Sequence, residues 1–359
     1  MNRPADGSTA TPGDPRAIHV SERVTIGAGL PTFVIAEIGY NFNTLDEGLA
    51  SIDAAADCGV DAVKFQTFRA ETIVTRDVAF PPEAGGGNQF DEFKRYELSA
   101  DWHAQLFARA RQHGLVPFST PSHQSDLPLL ERLNTEIYKL GSDDLTNLPF
   151  QTAVARLGRP MIISTGMAYL WEVAQTVEAI RQAGNEQLVV LHCLSNYPIK
   201  DLAEVNLRAI CRLAAGLGVP IGYSDHTTTL SAPVAAVTLG ACVYERHFTL
   251  DKRLPAPDAA LSADPAEMRR IVALIRETER MLGDGRKRPA RSERDMRRDT
   301  RKSLVARGPI RAGETLTTEN VTVKRPGHGI DPRELPLALE RAAKRDIPAD
   351  AIITWDAIG

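Results

Sequence analysis

The chain is 359 residues long, with 43% hydrophobic and 25% charged residues, the balance of a globular protein rather than of a disordered, fibrous or collagen-like chain. Lys and Arg total 42 against 46 Asp plus Glu, a formal net charge of -4, so no global basic field exists to hold a nucleic acid backbone. Anionic partners must be caught locally.

Residues 1–30 are rich in Pro, Gly, Ser and Thr and are expected to form a mobile lead-in. They lack the apolar core of a secretory signal, and no apolar run approaches the ~20 residues needed to cross a bilayer, so a cytoplasmic protein without membrane contact is expected. Cys58, Cys193, Cys211 and Cys242 are widely spaced and form no CxxC pair. They are expected to be reduced and mostly buried.

Runs rich in Val, Ile, Leu and Phe then recur at 33–38, 61–66, 115–120, 136–141, 160–165, 188–193, 220–225 and 242–247, as expected for strands buried on both faces. Between them, LDEGLASIDAAADCG, SADWHAQLFARARQHG and LWEVAQTVEAIRQAG carry apolar residues at three and four spacing and end in Gly. After the eighth run, Asp264, Pro265 and Glu267 cap a helix with the stripe Met268, Ile271, Val272 and Ile275. Eight βα units predict a (β/α)8 barrel over residues 31–282. Residues 283–302 are dense in Arg and nearly devoid of large apolar side chains, a solvated linker. Residues 303–359 form a small second unit with a helix-like stretch at 334–345, too short to build much of a core alone.

In a parallel barrel the reactive face lies at the carboxyl ends of the strands. There the runs deliver Glu37 with Gly39, Asn41 and Asn43, then Lys64 and Gln66, then Lys139, Ser142 and Asp144. They continue with Ser164 and Thr165, His192, Ser195 and Tyr197, Ser224, Asp225 and His226, and Glu245 and His247. A buried Lys is costly unless paired, so Lys64 and Lys139 are either ion-paired stabilisers or anion ligands; two of them beside Ser at strand ends favour a phosphate or carboxylate site. His226 and His247, at the ends of consecutive strands, are either hydrogen-bonded core residues or ligands of a Mn-type divalent metal. His192 reads as structural. Asp258 is either a turn former or a carboxylate that orients a substrate hydroxyl. No P-loop, GxSxG, HExxH or Rossmann glycine signature stands in a suitable context. The Arg-rich linker interleaves Glu293, Asp295 and Asp299 and carries no aromatic residue for stacking, which weighs against nucleic acid.

The strings FVIAEIGYNFN, DAVKFQTFRAE, YKLGSDDLTNLP, IISTGM, LHCLSNYP, IGYSDHT and ERHFTLD resemble, in order, the motifs of the sialic acid synthase family, and RKSLVARGPIRAGETLTTENVTVKRPGHGI resembles its carboxyl-terminal antifreeze-like (SAF) domain. The likeness implies a TIM barrel followed by that domain, and condensation of phosphoenolpyruvate with an N-acylated hexosamine aldehyde to a nine-carbon 2-keto sugar acid plus phosphate. It also implies a domain-swapped homodimer. By motif, Lys64, Lys139, Ser142, Ser164, Ser195 and Ser224 would hold phosphoenolpyruvate, with Ser195 where some relatives have Asn. His226 and His247 would bind a divalent metal, Mn2+ first and Mg2+ or Co2+ next. Glu37, Gln66, Asp144, Tyr197 and Asp258 would face the sugar, and Arg325 would reach it from the partner subunit. Glu37 is the candidate proton-transferring group.

Two motifs depart from the family pattern. The usual NHNG reads Asn41-Phe42-Asn43-Thr44, and the usual GPDH reads APDA with Ala256 and Ala259. Both are expected to lie where the sugar sits, which leaves open sialic acid itself, legionaminate, pseudaminate or another acceptor. A non-catalytic barrel that binds a sugar phosphate is the competing class.

Overall fold

In a computed structural model, which describes residues 17–80, 86–197, 199–254, 256 and 258–359, eight parallel strands close into a barrel. In chain order these are β3 (Phe33–Gly39), β4 (Ala62–Thr67), β5 (Val116–Pro121), β6 (Tyr138–Leu140), β7 (Met161–Ser164), β8 (Leu188–Cys193), β9 (Ile221–Asp225) and β10 (Val243–His247), with β10 pairing back onto β3. They sit within a residue or two of the expected runs. Helices Leu45–Asp57, Ala100–Gln112, Leu170–Gln182 and Pro265–Leu282 lie where the three and four spacing placed them, and Met268, Ile271, Val272 and Ile275 are all buried. The chain divides into two compact units, Met1–Gly283 and Asp284–Gly359.

Period-two alternation sorts the barrel's side chains. Outward residues such as Val34, Val63, Tyr138, Ile163 and Val190 join one core with the surrounding helices, while Phe33, Ile35, Ala62, Phe118, Ile137, Ile162, Leu191 and Val243 fill the interior.

The expectation of a mobile lead-in over residues 1–30 is corrected at Ile18–Ile26, which is ordered structure; residues 1–16 lie outside the described residues. β1 (Ile18–Ser21) and β2 (Val24–Ile26) form an antiparallel hairpin. Its Ile18, Val20 and Ile26 are buried in the same cluster as the barrel's lower interior residues. Three buried branched side chains contribute roughly 1.5–3 kcal/mol each, enough to order a short segment of weak local propensity.

In the second unit, β11 (Ser303–Ala306) pairs antiparallel with β12 (Val321–Lys324) over a small core that includes Leu304, Ile310, Leu316, Ile330, Ile347, Ile353 and Ile358. The helix expected at 334–345 is a correction: helical turns cover only Pro332–Glu334 and Leu335–Ala338. Beyond them Arg341 and Ala343 exchange backbone hydrogen bonds with Gly313, Glu314 and Leu316, so strand-like pairing overrides helical propensity. Residues 283–299 are exposed, and Arg294–Thr300 is one short helix laced by Arg298 pairing with Asp295 and Asp299. Among the described residues no helix is long and apolar enough to cross a membrane. Cys58, Cys193 and Cys242 are buried free thiols, whereas Cys211 is exposed.

Candidate active site

Along six of the eight barrel strands the inward positions change from apolar to polar toward the carboxyl end. Ile35 is followed by Glu37, Ala62 by Lys64, Phe118 by Thr120, Ile137 by Lys139, Ile162 by Ser164, and Val243 by Glu245 and His247. Strand register brings these steps together: Glu37 pairs with both Lys64 and His247, and Ser224 with Glu245.

Two ammonium groups and two carboxylates form the floor. Lys64 Nζ lies 2.6 Å from Glu37 Oε2 and 3.9 Å from Glu245 Oε2, and donates to Thr120 Oγ1 at 3.1 Å. Lys139 Nζ lies 3.6 Å from Glu245 Oε1 and donates to Ser164 Oγ at 2.7 Å. Ser224 Oγ donates to Glu245 Oε1 at 3.0 Å, and Gln66 Nε2 to Glu37 Oε1 at 3.1 Å. All four charged residues are no more than 5% exposed.

Burial acts on each group differently. It pushes the Glu37 carboxyl up to about 7, because desolvation outweighs the attraction of Lys64. For Glu245 burial pushes the same way, but Lys139 and Lys64 together overcome it and hold its carboxylate below the ordinary range. Burial lowers Lys139, whereas for Lys64 the two glutamates overcome the same cost and raise it. The floor is thus a pair of buried cations ringed by Ser and Thr hydroxyls and balanced from within by Glu245. An entering anion can take over that balancing role.

The second group lies at the rim. His226 Nδ1 donates to the Leu194 carbonyl at 2.9 Å, which fixes its tautomer and leaves Nε2 as an acceptor, here for the Tyr197 hydroxyl at 2.9 Å. The His247 ring lies 5.5 Å from the His226 ring, centroid to centroid. His247 Nδ1 is buried without a hydrogen bond, 3.8 Å from Asp258 Oδ2, and burial holds the imidazole well below its usual pKa. Burial raises the Asp258 carboxyl to about 6 against the pull of His226 and Lys64. Two imidazoles, one with an orphaned nitrogen and the other held by a backbone carbonyl, are a donor set that fits a divalent metal keeping several open positions. Among the described residues no group of three or more His, Cys, Asp or Glu forms a closed metal cage.

Above this lies a cavity of about 1110 Å3, lined by residues that include Tyr40, Phe93, Tyr96, Ser195, Tyr197 and Asp258. Ser142 Oγ accepts from the Gly166 amide at 3.0 Å, and a Cβ at Gly166 would collide with the Ser195 and Ser142 hydroxyls, so glycine is required for this close approach. His192 is structural, as expected: Nε2 bonds the Val205 carbonyl at 2.7 Å.

Some expected site residues stand apart. Asp144 accepts from Asn147 Nδ2 at 2.9 Å, its backbone carbonyl accepts from Gln151 Nε2, and no bond ties it to the lysine or histidine groups. Arg325 belongs to the second unit. The departures at Phe42 and Thr44 do not face the cavity, contrary to expectation. Phe42 is 2% exposed and stacks on Trp102, with ring centroids 6.3 Å apart. Thr44 caps helix Leu45–Asp57 in a reciprocal box with Glu47. Ala259 is fully buried in the Ala259–Leu261 turn. Sequence reasoning gave Glu245 no role, although a charge inside an apolar strand marked it. It missed the wall at Tyr40, Phe80, Phe93 and Tyr96, of which only Tyr40 lies in a motif string.

Comparison with known proteins bears on the whole chain. The NeuB family model matches residues 51–287 and the SAF domain model residues 301–359. An uncharacterized protein of Methanocaldococcus jannaschii is 41% identical, over 92% of this chain and 96% of its own length. An N,N'-diacetyllegionaminic acid synthase of Legionella pneumophila is 37% identical over 92% of this chain and 96% of its own. The N-acetylneuraminic acid synthetase structure from Leptospira borgpetersenii superposes with a TM-score of 0.71 at 31% identity, covering 78% of this chain and 94% of that one.

Proposed function

We propose that this chain, which belongs to the NeuB family, condenses phosphoenolpyruvate with the open-chain aldehyde of an N-acylated hexosamine, giving a 2-keto sugar acid and inorganic phosphate. The observation that carries the reading is the pair of buried ammonium groups, Lys64 and Lys139, flanking Glu245 beneath the imidazole pair. A module that binds an uncharged sugar has no use for two desolvated cations at the bottom of its cavity, so the site suits an anionic substrate.

In this reading Lys64, Lys139, Ser142, Ser164, Ser195 and Ser224 hold the phosphate and carboxylate of phosphoenolpyruvate. Gln66, Tyr197 and Asp258 orient the sugar, and Arg325 of a partner subunit in a homodimer closes over it; Asp144, bonded elsewhere in the single chain, joins only if its loop shifts. His226 and His247 would hold a divalent metal, Mn2+ being the first choice, which supplies Lewis-acid polarisation of the aldehyde. A bond forms between C3 of the enol and the aldehyde carbon. Water then adds to C2, and the tetrahedral intermediate expels phosphate with cleavage of the C2–O bond. The lysines meet the developing negative charge in place, without reorganisation. Glu37, poised near neutral pH, is placed to carry the proton that leaves the attacking water.

Release of phosphate from phosphoenolpyruvate is the test, measured with Mn2+ and a panel comprising N-acetylmannosamine, its 6-phosphate and 2,4-diacetamido-trideoxyhexoses. Release dependent on one of these, with a 2-keto acid formed in equal amount, is the expected result. Phosphoenolpyruvate left intact across the panel, with no metal bound, would overturn the proposal in favour of a non-catalytic barrel.

A further inference from the structure

We infer that Asn41, Ser262 and Arg246 are positioning residues that clamp the loop carrying Asp258 to the barrel rim and thereby set affinity for the sugar acceptor, an assignment that rests on the role proposed above for Asp258. Asp258 presents its carboxylate 3.8 Å from His247 Nδ1, so its location follows from the backbone it hangs from. That backbone is held from two sides.

On the inner side, Ser262 Oγ donates to the Asp258 carbonyl at 2.6 Å and accepts from Asn41 Nδ2 at 3.1 Å. The same amide group also donates to the Phe248 carbonyl at 3.2 Å, so one buried side chain from the end of β3 grips the chain both as it leaves β10 and as it returns. The base is closed by Ala263 N to His247 O at 2.8 Å and Thr249 N to Ala263 O at 3.1 Å.

On the outer side, Arg246 Nη2 donates to the Leu261 carbonyl at 3.1 Å, and Nη1 lies 3.3 Å from Asp225 Oδ2. Asp225 is fully buried and accepts from the Tyr223 hydroxyl at 3.1 Å, the Tyr244 hydroxyl at 2.7 Å and the Thr227 amide at 2.8 Å. The guanidinium is thus anchored on a carboxylate that has no freedom of its own, and it transmits that rigidity to the loop. A buried Arg in an apolar core is costly, and here its outer nitrogen reaches the one loop that brings a carboxylate to the metal and sugar side.

Side chains of the anion floor sit on β3, β4, β6, β7, β9 and β10, and none of the side-chain hydrogen bonds made by Asn41, Ser262 and Arg246 goes to them. Loosening it therefore separates the two substrates kinetically. In the full-length protein with Mn2+, Ser262→Ala is expected to raise KM for the active acceptor about tenfold, while KM for phosphoenolpyruvate stays within about twofold. Arg246→Lys, which can pair with Asp225 but not also span to Leu261, moves in the same direction. Hydrogen exchange of the amides at 258–263 rises in both. Should Arg246→Lys fail to fold, Ser262→Ala, a small change with little steric demand, decides alone. An unmoved acceptor KM in Ser262→Ala, or a parallel rise in both KM values, overturns the clamp. Wild-type protein that consumes no phosphoenolpyruvate overturns the function instead, so the two failures are distinct.

Discussion

Lys139 Nζ and Glu245 Oε1 lie 3.6 Å apart at the bottom of the barrel mouth, and burial holds Lys139 below the ordinary lysine pKa. In the proposed reaction this buried amine serves the negatively charged phosphoenolpyruvate. A lowered folded pKa means that the native state binds the proton less readily than the unfolded chain does. The ammonium therefore subtracts stability below its folded pKa, and that penalty disappears as pH rises through it. Lys139→Met is expected to leave the substrate-free melting temperature unchanged or higher at neutral pH while raising KM for phosphoenolpyruvate roughly 10- to 100-fold, the worth of one charged hydrogen bond. Calorimetry and initial rates check the two halves separately.

Glu37 yields a pH prediction. Its carboxyl keeps a proton in the folded protein until about pH 7, against 4.5 ordinarily, because burial outweighs Lys64. The native state thus binds more protons than the unfolded one between those values, so this group's contribution is greatest below about 4.5 and is lost as pH rises through 7. Glu37→Gln should abolish that trend: the melting-temperature advantage of the wild type over the variant shrinks across this window. The same variant should lose about 100-fold in turnover, with its rate no longer following a group near neutrality. Full turnover with an unchanged pH profile would remove Glu37 from proton transfer.

His247 tests the metal. Its Nδ1 is buried without a hydrogen bond, so replacing the ring removes no hydrogen bond made by that nitrogen. The folded imidazole titrates well below its usual 6.5, chiefly from burial, so its presence costs stability as pH falls below that value. His247→Leu is expected to melt no lower than wild type without metal, and higher near pH 5, but to lose the upward shift expected of the wild type with Mn2+. A retained Mn2+ shift would place the metal elsewhere.

The barrel was legible because its strands are buried on both faces and read as apolar runs. Period two even marked Glu37, Lys64, Lys139 and Glu245 as charges inside those runs. Gathering at one end of the barrel followed from the expected fold, but the pairing of Glu245 with Lys64 and Lys139 did not, since it depends on closure of β10 onto β3. The hairpin at Ile18–Ile26 was hidden by the Pro and Gly around it, and is ordered by contacts with residues far along the chain. The extended segment after Ala338 escaped because its pairing partners near Gly313 and Leu316 override a local helical pattern. Motif comparison erred where it equated position in a motif with position in the cavity.

Phe42 makes that last point measurable. It stands where the family pattern has His, yet it is buried, stacks on Trp102, and lies so close to Gly48 that a Cβ there would meet its ring at 3.0 Å. Its contacts, with Trp102, Gly48 and the core shared by barrel and helices, are those of a barrel-to-helix wedge. Phe42→His exchanges a buried aromatic ring for a polar one without compensation, a loss of roughly 1–3 kcal/mol. Denaturant unfolding should show that loss, while relative kcat/KM across the acceptor panel stays as in wild type. Thr44→Ala should cost about 1 kcal/mol through its capping box, with the same indifference in acceptor choice. A changed order of preference in either variant would mean that the loop after β3 reaches the sugar, and that acceptor choice is not set by the wall at Tyr40, Phe93 and Tyr96.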